Sequence, residues 1–75
     1  MKTTTELVRL WFEIFRFGTD ENLEFMICER FGRSPSSVRS ARNRLTKRGV
    51  LAFANRYQRT RYKGLAAVWR FAGGR

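Results

Sequence analysis

The sequence contains no histidine, one cysteine and one proline, and no acidic residue follows Glu29. Without histidine the commonest general base near neutral pH is missing, along with Ser-His and Cys-His nucleophile pairs, so catalysis is not expected. The lone Cys28 has no partner for an internal disulfide, and no Cys/His cluster exists to hold zinc, so neither a metal nor a cofactor is expected. No apolar run approaches the roughly 18 residues of a membrane span. The opening MKTTTELVRL lacks the unbroken apolar stretch of a secretion signal. The expected location is cytoplasmic, with no membrane partner. Seventy-five residues make one small domain, residues 1–75, too small to wall a large cleft with its own core. No small-molecule ligand is expected. With 43% hydrophobic residues, among them seven Phe, two Trp and two Tyr, the chain is nevertheless too apolar for disorder and should fold.

The charge is divided along the chain. Residues 1–32 carry four Lys or Arg against six acids, whereas residues 33–75 carry twelve cations and no acid. A solvated surface usually mixes both signs, so an unneutralised half of this kind points to a polyanionic partner.

The first segment has apolar residues Leu7, Val8, Leu10, Trp11, Phe12, Ile14, Phe15 and Phe17 in helical order. At about 100° per residue they cover an arc of roughly 220°. Thr3 and Glu6 have capping-box spacing, which predicts a helix over about 4–17 that stops at Gly18. Two readings fit so wide an arc: burial under the rest of the domain, or a face for a homodimer. A second helix is predicted over 20–31, with Thr19 as its cap, Asp20, Glu21 and Glu24 in the positive first turn, and Gly32 beyond its end. Leu23, Met26, Ile27 and Phe31 form its predicted inward stripe. Cys28 reads as a small, partly buried apolar residue.

The third helix, over about 35–48, opens on Ser34-Pro35, a cap followed by proline at the first helical position, and closes at Gly49. Val38, Ala41 and Leu45 share one face. Ser36, Ser40, Asn43 and Lys47 share the other, flanked by Arg39 and Arg44. Short hydroxyls permit close approach to a groove, Asn and Arg can make paired hydrogen bonds to base edges, and Lys reaches phosphate. The link Gly32-Arg33-Ser34 has the length and glycine of a helix-turn-helix connection.

After Gly49 the pattern changes. Val50-Leu51-Ala52-Phe53-Ala54 and Leu65-Ala66-Ala67-Val68-Trp69-Arg70-Phe71 are β-prone, which predicts a hairpin over about 50–71. Leu51, Phe53, Trp69 and Phe71 return one face to the core. Arg56, Arg59, Arg61 and Lys63 project from the tip, interleaved with Tyr57 and Tyr62. Sequence alone leaves the register of the turn open.

The run from Ser34 to Leu51 resembles the recognition helix and following strand of bacterial winged helix-turn-helix DNA-binding domains. In both, a serine-rich helix start leads to a valine, a leucine, a basic pair with glycine and two apolar residues, and a hairpin wing follows. The resemblance covers residues 5–71. It implies an α+β fold of three helices with a C-terminal β-hairpin wing. The implied function is double-stranded DNA binding, as in a small phage or plasmid transcriptional regulator or an accessory factor associated with the nucleoid. Carried over by position, Ser36, Ser37, Arg39, Ser40 and Asn43 face the major groove. Arg33 and Arg44 meet flanking phosphates, and Arg59 and Arg61 form the wing contact.

Three other classes use parts of the same pattern. RNA binding would set Tyr57 and Tyr62 of the basic hairpin against unpaired bases. A membrane-surface helix would need cations on the polar side of the first helix, yet Arg9, Glu13 and Arg16 are mixed there. A protein adaptor would use the wide apolar arc instead of the charge, and competition by duplex DNA would separate it from a DNA binder.

Overall fold

A computed structural model describes residues 2–61 and 64–73. The first helix, α1 (Thr4–Phe15), begins at a complete capping box: the Thr3 hydroxyl accepts from the Glu6 N–H, and the Glu6 carboxylate accepts from the Thr3 N–H. That bond to the Thr3 N–H holds the Glu6 carboxyl below its ordinary pKa. The helix ends earlier than its apolar pattern predicts. Arg16 turns to φ 72°, and Phe17–Gly18 form a short strand, β1, antiparallel to the last strand of the chain. The physical reason is tertiary. The Arg16 carbonyl accepts from the Phe71 N–H at 2.8 Å, so the segment leaves the helical ladder to pair with an otherwise open sheet edge.

The second helix, α2, spans residues 20–31. Its parts are an α-turn Asp20–Leu23, a π-helical turn Glu24–Cys28 and a closing turn Glu29–Phe31. Thr19 caps it in a reciprocal pair with Asn22. Leu23 and Ile27 are buried as expected, and Met26 is half-buried. Phe31, expected to point inward, is 54% exposed. A π-turn uses about one residue more than an α-turn, so positions after it lag by roughly 100° and the last member of a regular stripe rotates away.

The third helix, α3 (Pro35–Lys47), starts with the Ser34 hydroxyl accepting from the Ser37 N–H. It ends one residue before the predicted boundary. Gly49 at φ 81° allows its own N–H to reach the Thr46 carbonyl and the Val50 N–H to reach the Leu45 carbonyl, a Schellman closure.

Strands β2 (Leu51–Arg59) and β3 (Leu65–Phe71) pair antiparallel, and β1 completes a three-stranded antiparallel sheet in the order β1-β3-β2. Leu51 pairs with Phe71 and Phe53 with Trp69, so the four share a face as expected, but only Leu51, Trp69 and Phe71 reach the core, and Phe53 packs against Trp69 and Tyr57 instead. Between Phe53 and Tyr57 the register shifts, with Asn55 at φ 60°, so three residues of β2 stand opposite Val68 alone. Such a bulge bends the strand. Before it, β2 is at least half-buried; from Asn55 to Arg59 it is exposed.

The core comprises Leu7, Val8 and Phe12 of α1, Leu23 and Ile27 of α2, Val38, Ala41 and Leu45 of α3, and Val50 and Leu51. Trp11, Cys28, Trp69 and Phe71 pack against it. The α+β architecture therefore combines three helices with a three-stranded sheet, and it holds α3 by one face only.

Candidate nucleic-acid interface

Helix α3 buries Val38, Ala41, Arg42 and Leu45, which leaves Ser36, Ser37, Arg39, Ser40, Asn43, Arg44 and Lys47 exposed along its outer side. Thirteen residues give a rod of about 20 Å. The molecule extends 34 × 27 × 19 Å, so this side runs along much of one dimension.

Arg42 is a cation of α3 that the sequence pattern does not single out. Position 42 lies on the stripe of Val38, Ala41 and Leu45, and an arginine there needs a buried partner. Asp20 provides one, accepting from Nε at 2.7 Å and from Nη2 at 3.3 Å. The guanidinium also lies 4.2 Å from the centre of the Trp69 ring. The acids of the α2 first turn therefore do more than complement its dipole. Asp20 anchors α3, Glu24 accepts from Arg39 Nη2 at 3.3 Å, and the Glu21 carboxylate accepts from the Arg61 N–H.

The expected flanking cations sit at the start of α1. Arg33 donates from Nη1 to the Thr4 hydroxyl at 3.2 Å and from Nη2 to the Lys2 carbonyl at 2.8 Å. Arg44 donates from Nη1 to the Thr5 hydroxyl at 2.7 Å. Between α1 and α3 lies an open cleft of about 360 Å³ lined by Thr3, Thr4, Thr5, Ser36, Ser37, Ser40, Ala41 and Arg44. Of the threonines, the sequence signalled only Thr3, as a cap. The contribution of Thr4 and Thr5 depends on the approach of α1 to α3, which no local pattern encodes.

In the hairpin, Arg59 is exposed at the end of β2, paired with Leu65. Arg56, expected at the tip, instead lies within β2 at the bulge with its guanidinium 4.8 Å from the Phe17 ring centre, because strand pairing runs on to Arg59 and Leu65. Arg61 is exposed. Tyr57 is exposed, with its ring 5.4 Å from that of Phe53. Lys63 and Tyr62, expected at the tip, lie outside the described residues.

Cys28 is half-buried, and burial, with Glu24 and Glu29 nearby, pushes its thiol pKa up, so it stays a neutral thiol and a poor nucleophile. Among the described residues no helix is long and apolar enough to cross a membrane. No protein-family model matches the chain, and no curated protein or solved structure is significantly similar to it.

Proposed function

We propose that the protein is a winged helix-turn-helix binder of double-stranded DNA that acts by recognition, not catalysis. In this reading α2 and α3 form the helix-turn-helix, α3 enters the major groove, and the β2–β3 hairpin is the wing. One observation carries the proposal: the exposed side of a thirteen-residue helix presents serines, an asparagine, arginines and a lysine, with no acid of its own. A major groove about 12 Å wide accepts such a helix, and Asn43, midway along it, can bond both edge atoms of an adenine. Beyond the bulge the wing carries Arg59 away from the core, toward phosphate or a minor groove. A DNA partner would associate the protein with the nucleoid, as a small transcriptional regulator or an accessory factor.

A homodimer on DNA belongs to the same reading. Leu10 (41% exposed), Ile14 (63%), Phe15 (53%) and Phe31 (54%) remain open on α1 and α2 around a shallow apolar groove. At roughly 100 Å² each, they approach the apolar share of a standard interface, about 450 of 800 Å² per partner. That suits a reversible dimer more than a permanent one.

Selection of bound sequences from random duplex, single-stranded and RNA pools tests the proposal. Enrichment of a short duplex motif is expected. Enrichment confined to single-stranded or RNA pools would shift the assignment to the exposed Tyr57 and the basic hairpin.

A further inference from the structure

We infer that the cleft between the start of α1 and the outer side of α3 is a binding site for a phosphate group, and that Thr4 and Thr5 of α1 are donors in it. The source of that phosphate, a backbone phosphate of bound DNA, rests on the function proposed above. The Thr4 and Thr5 hydroxyl oxygens already accept from the guanidinium groups of Arg33 and Arg44. The Ser37 hydroxyl accepts from the Ser34 hydroxyl at 2.8 Å. A hydroxyl whose lone pair is engaged in this way offers its own proton to the next group.

Thr4 and Thr5 are the first two residues of α1, where no preceding helical carbonyl can take those protons. Three hydroxyl protons from two helices therefore belong to one cleft, and the two guanidinium groups that orient the threonines bring positive charge. Among the described residues no acidic side chain lines the cleft. Glu6, the acid of the first turn, has its carboxylate on the Thr3 N–H. An ionised phosphodiester accepts hydrogen bonds and has no proton to donate, so this donor set suits it better than a sugar or an amide. Ser36 and Ser40 line the same cleft and belong to the outer side of α3. A backbone phosphate seated here would fix the register of α3 in the groove.

The test uses the full chain and a Thr4→Val/Thr5→Val variant, with Thr4→Ser/Thr5→Ser as the conservative control and thermal melts to confirm folding. Titration with inorganic phosphate should shift the amide resonances of residues 4, 5 and 37 in the wild type and the serine variant, but not in the valine variant. Affinity for duplexes of any sequence should fall about tenfold in the valine variant, with the salt slope unchanged because no charge is lost. Serine should restore the affinity. If the wild type binds duplex, the valine variant binds it equally well and phosphate moves none of these amides, the cleft assignment is wrong and the DNA reading stands. If phosphate moves the amides but no duplex binds, the cleft assignment stands and the DNA reading fails.

Discussion

Arg42 and Arg39, three residues apart on α3, have opposite relations to the rest of the molecule. The Arg42 side chain is 9% exposed and held by two bonds to Asp20, whereas the Arg39 side chain is 55% exposed beside Glu24. Asp20→Ala should therefore destabilise the fold by about 2 to 3 kcal/mol, just under the range for a fully buried pair because Asp20 keeps some solvent. Glu24→Ala should change stability by less than about 0.5 kcal/mol. Urea denaturation of the two variants checks this contrast, and equal midpoints would contradict it. For recognition, Asn43→Ala should cost about 1 to 3 kcal/mol of discrimination and leave the salt slope almost unchanged. Arg59→Ala should weaken every duplex alike and lower the slope by about one. Binding isotherms on selected and scrambled duplexes distinguish the two, and the reverse outcome would make the wing the reader. The exposed residues of α3 were legible because serine, asparagine and cations repeat at helical spacing opposite Val38, Ala41 and Leu45. Arg42 was not singled out, since one more arginine in a basic segment looks like another surface charge until Asp20 stands beside it.

Helix α2 and strand β1 mark where local pattern gives way to tertiary demand. The caps were readable: Thr3, Thr19 and Ser34 each accept from the N–H three residues on, and Gly32 and Gly49 close their helices at positive φ. The π-turn in α2 was not readable, because a stripe spaced for an α-helix has no mark for one inserted residue, and Phe31 points outward as a result. Strand β1 is likewise invisible locally. Phe17 continues the apolar arc of α1, and only the open edge of β3 draws it into the sheet. Gly18 is the residue that makes this seam possible, since a Cβ there would collide with the Trp11 ring. Gly18→Ala should therefore lower stability by about 1 to 3 kcal/mol. A thermal melt checks it, and an unchanged midpoint would mean that the Trp11 ring moves aside at little cost.

At the scale of the whole molecule, two asymmetries are legible in sequence and find places in the structure. The excess of cations after Glu29 supplies α3 and the hairpin, while the acids before it are partly used within the fold, Asp20 and Glu24 pairing with arginines of α3. The wide apolar arc of α1 is divided: Leu7, Val8 and Phe12 enter the core, and Leu10, Ile14 and Phe15 remain open. Sedimentation on the best selected duplex should give two protein chains per DNA, and Ile14→Glu should reduce this to one. A single chain on a site without a repeat would count against the dimer. The most direct test of DNA recognition by this basic surface is the salt dependence of duplex affinity. If about five to eight cations neutralise phosphates, log K should fall against log salt with a slope of about −4 to −7. A slope near zero, or no binding to any duplex at about 50 mM salt, would contradict it.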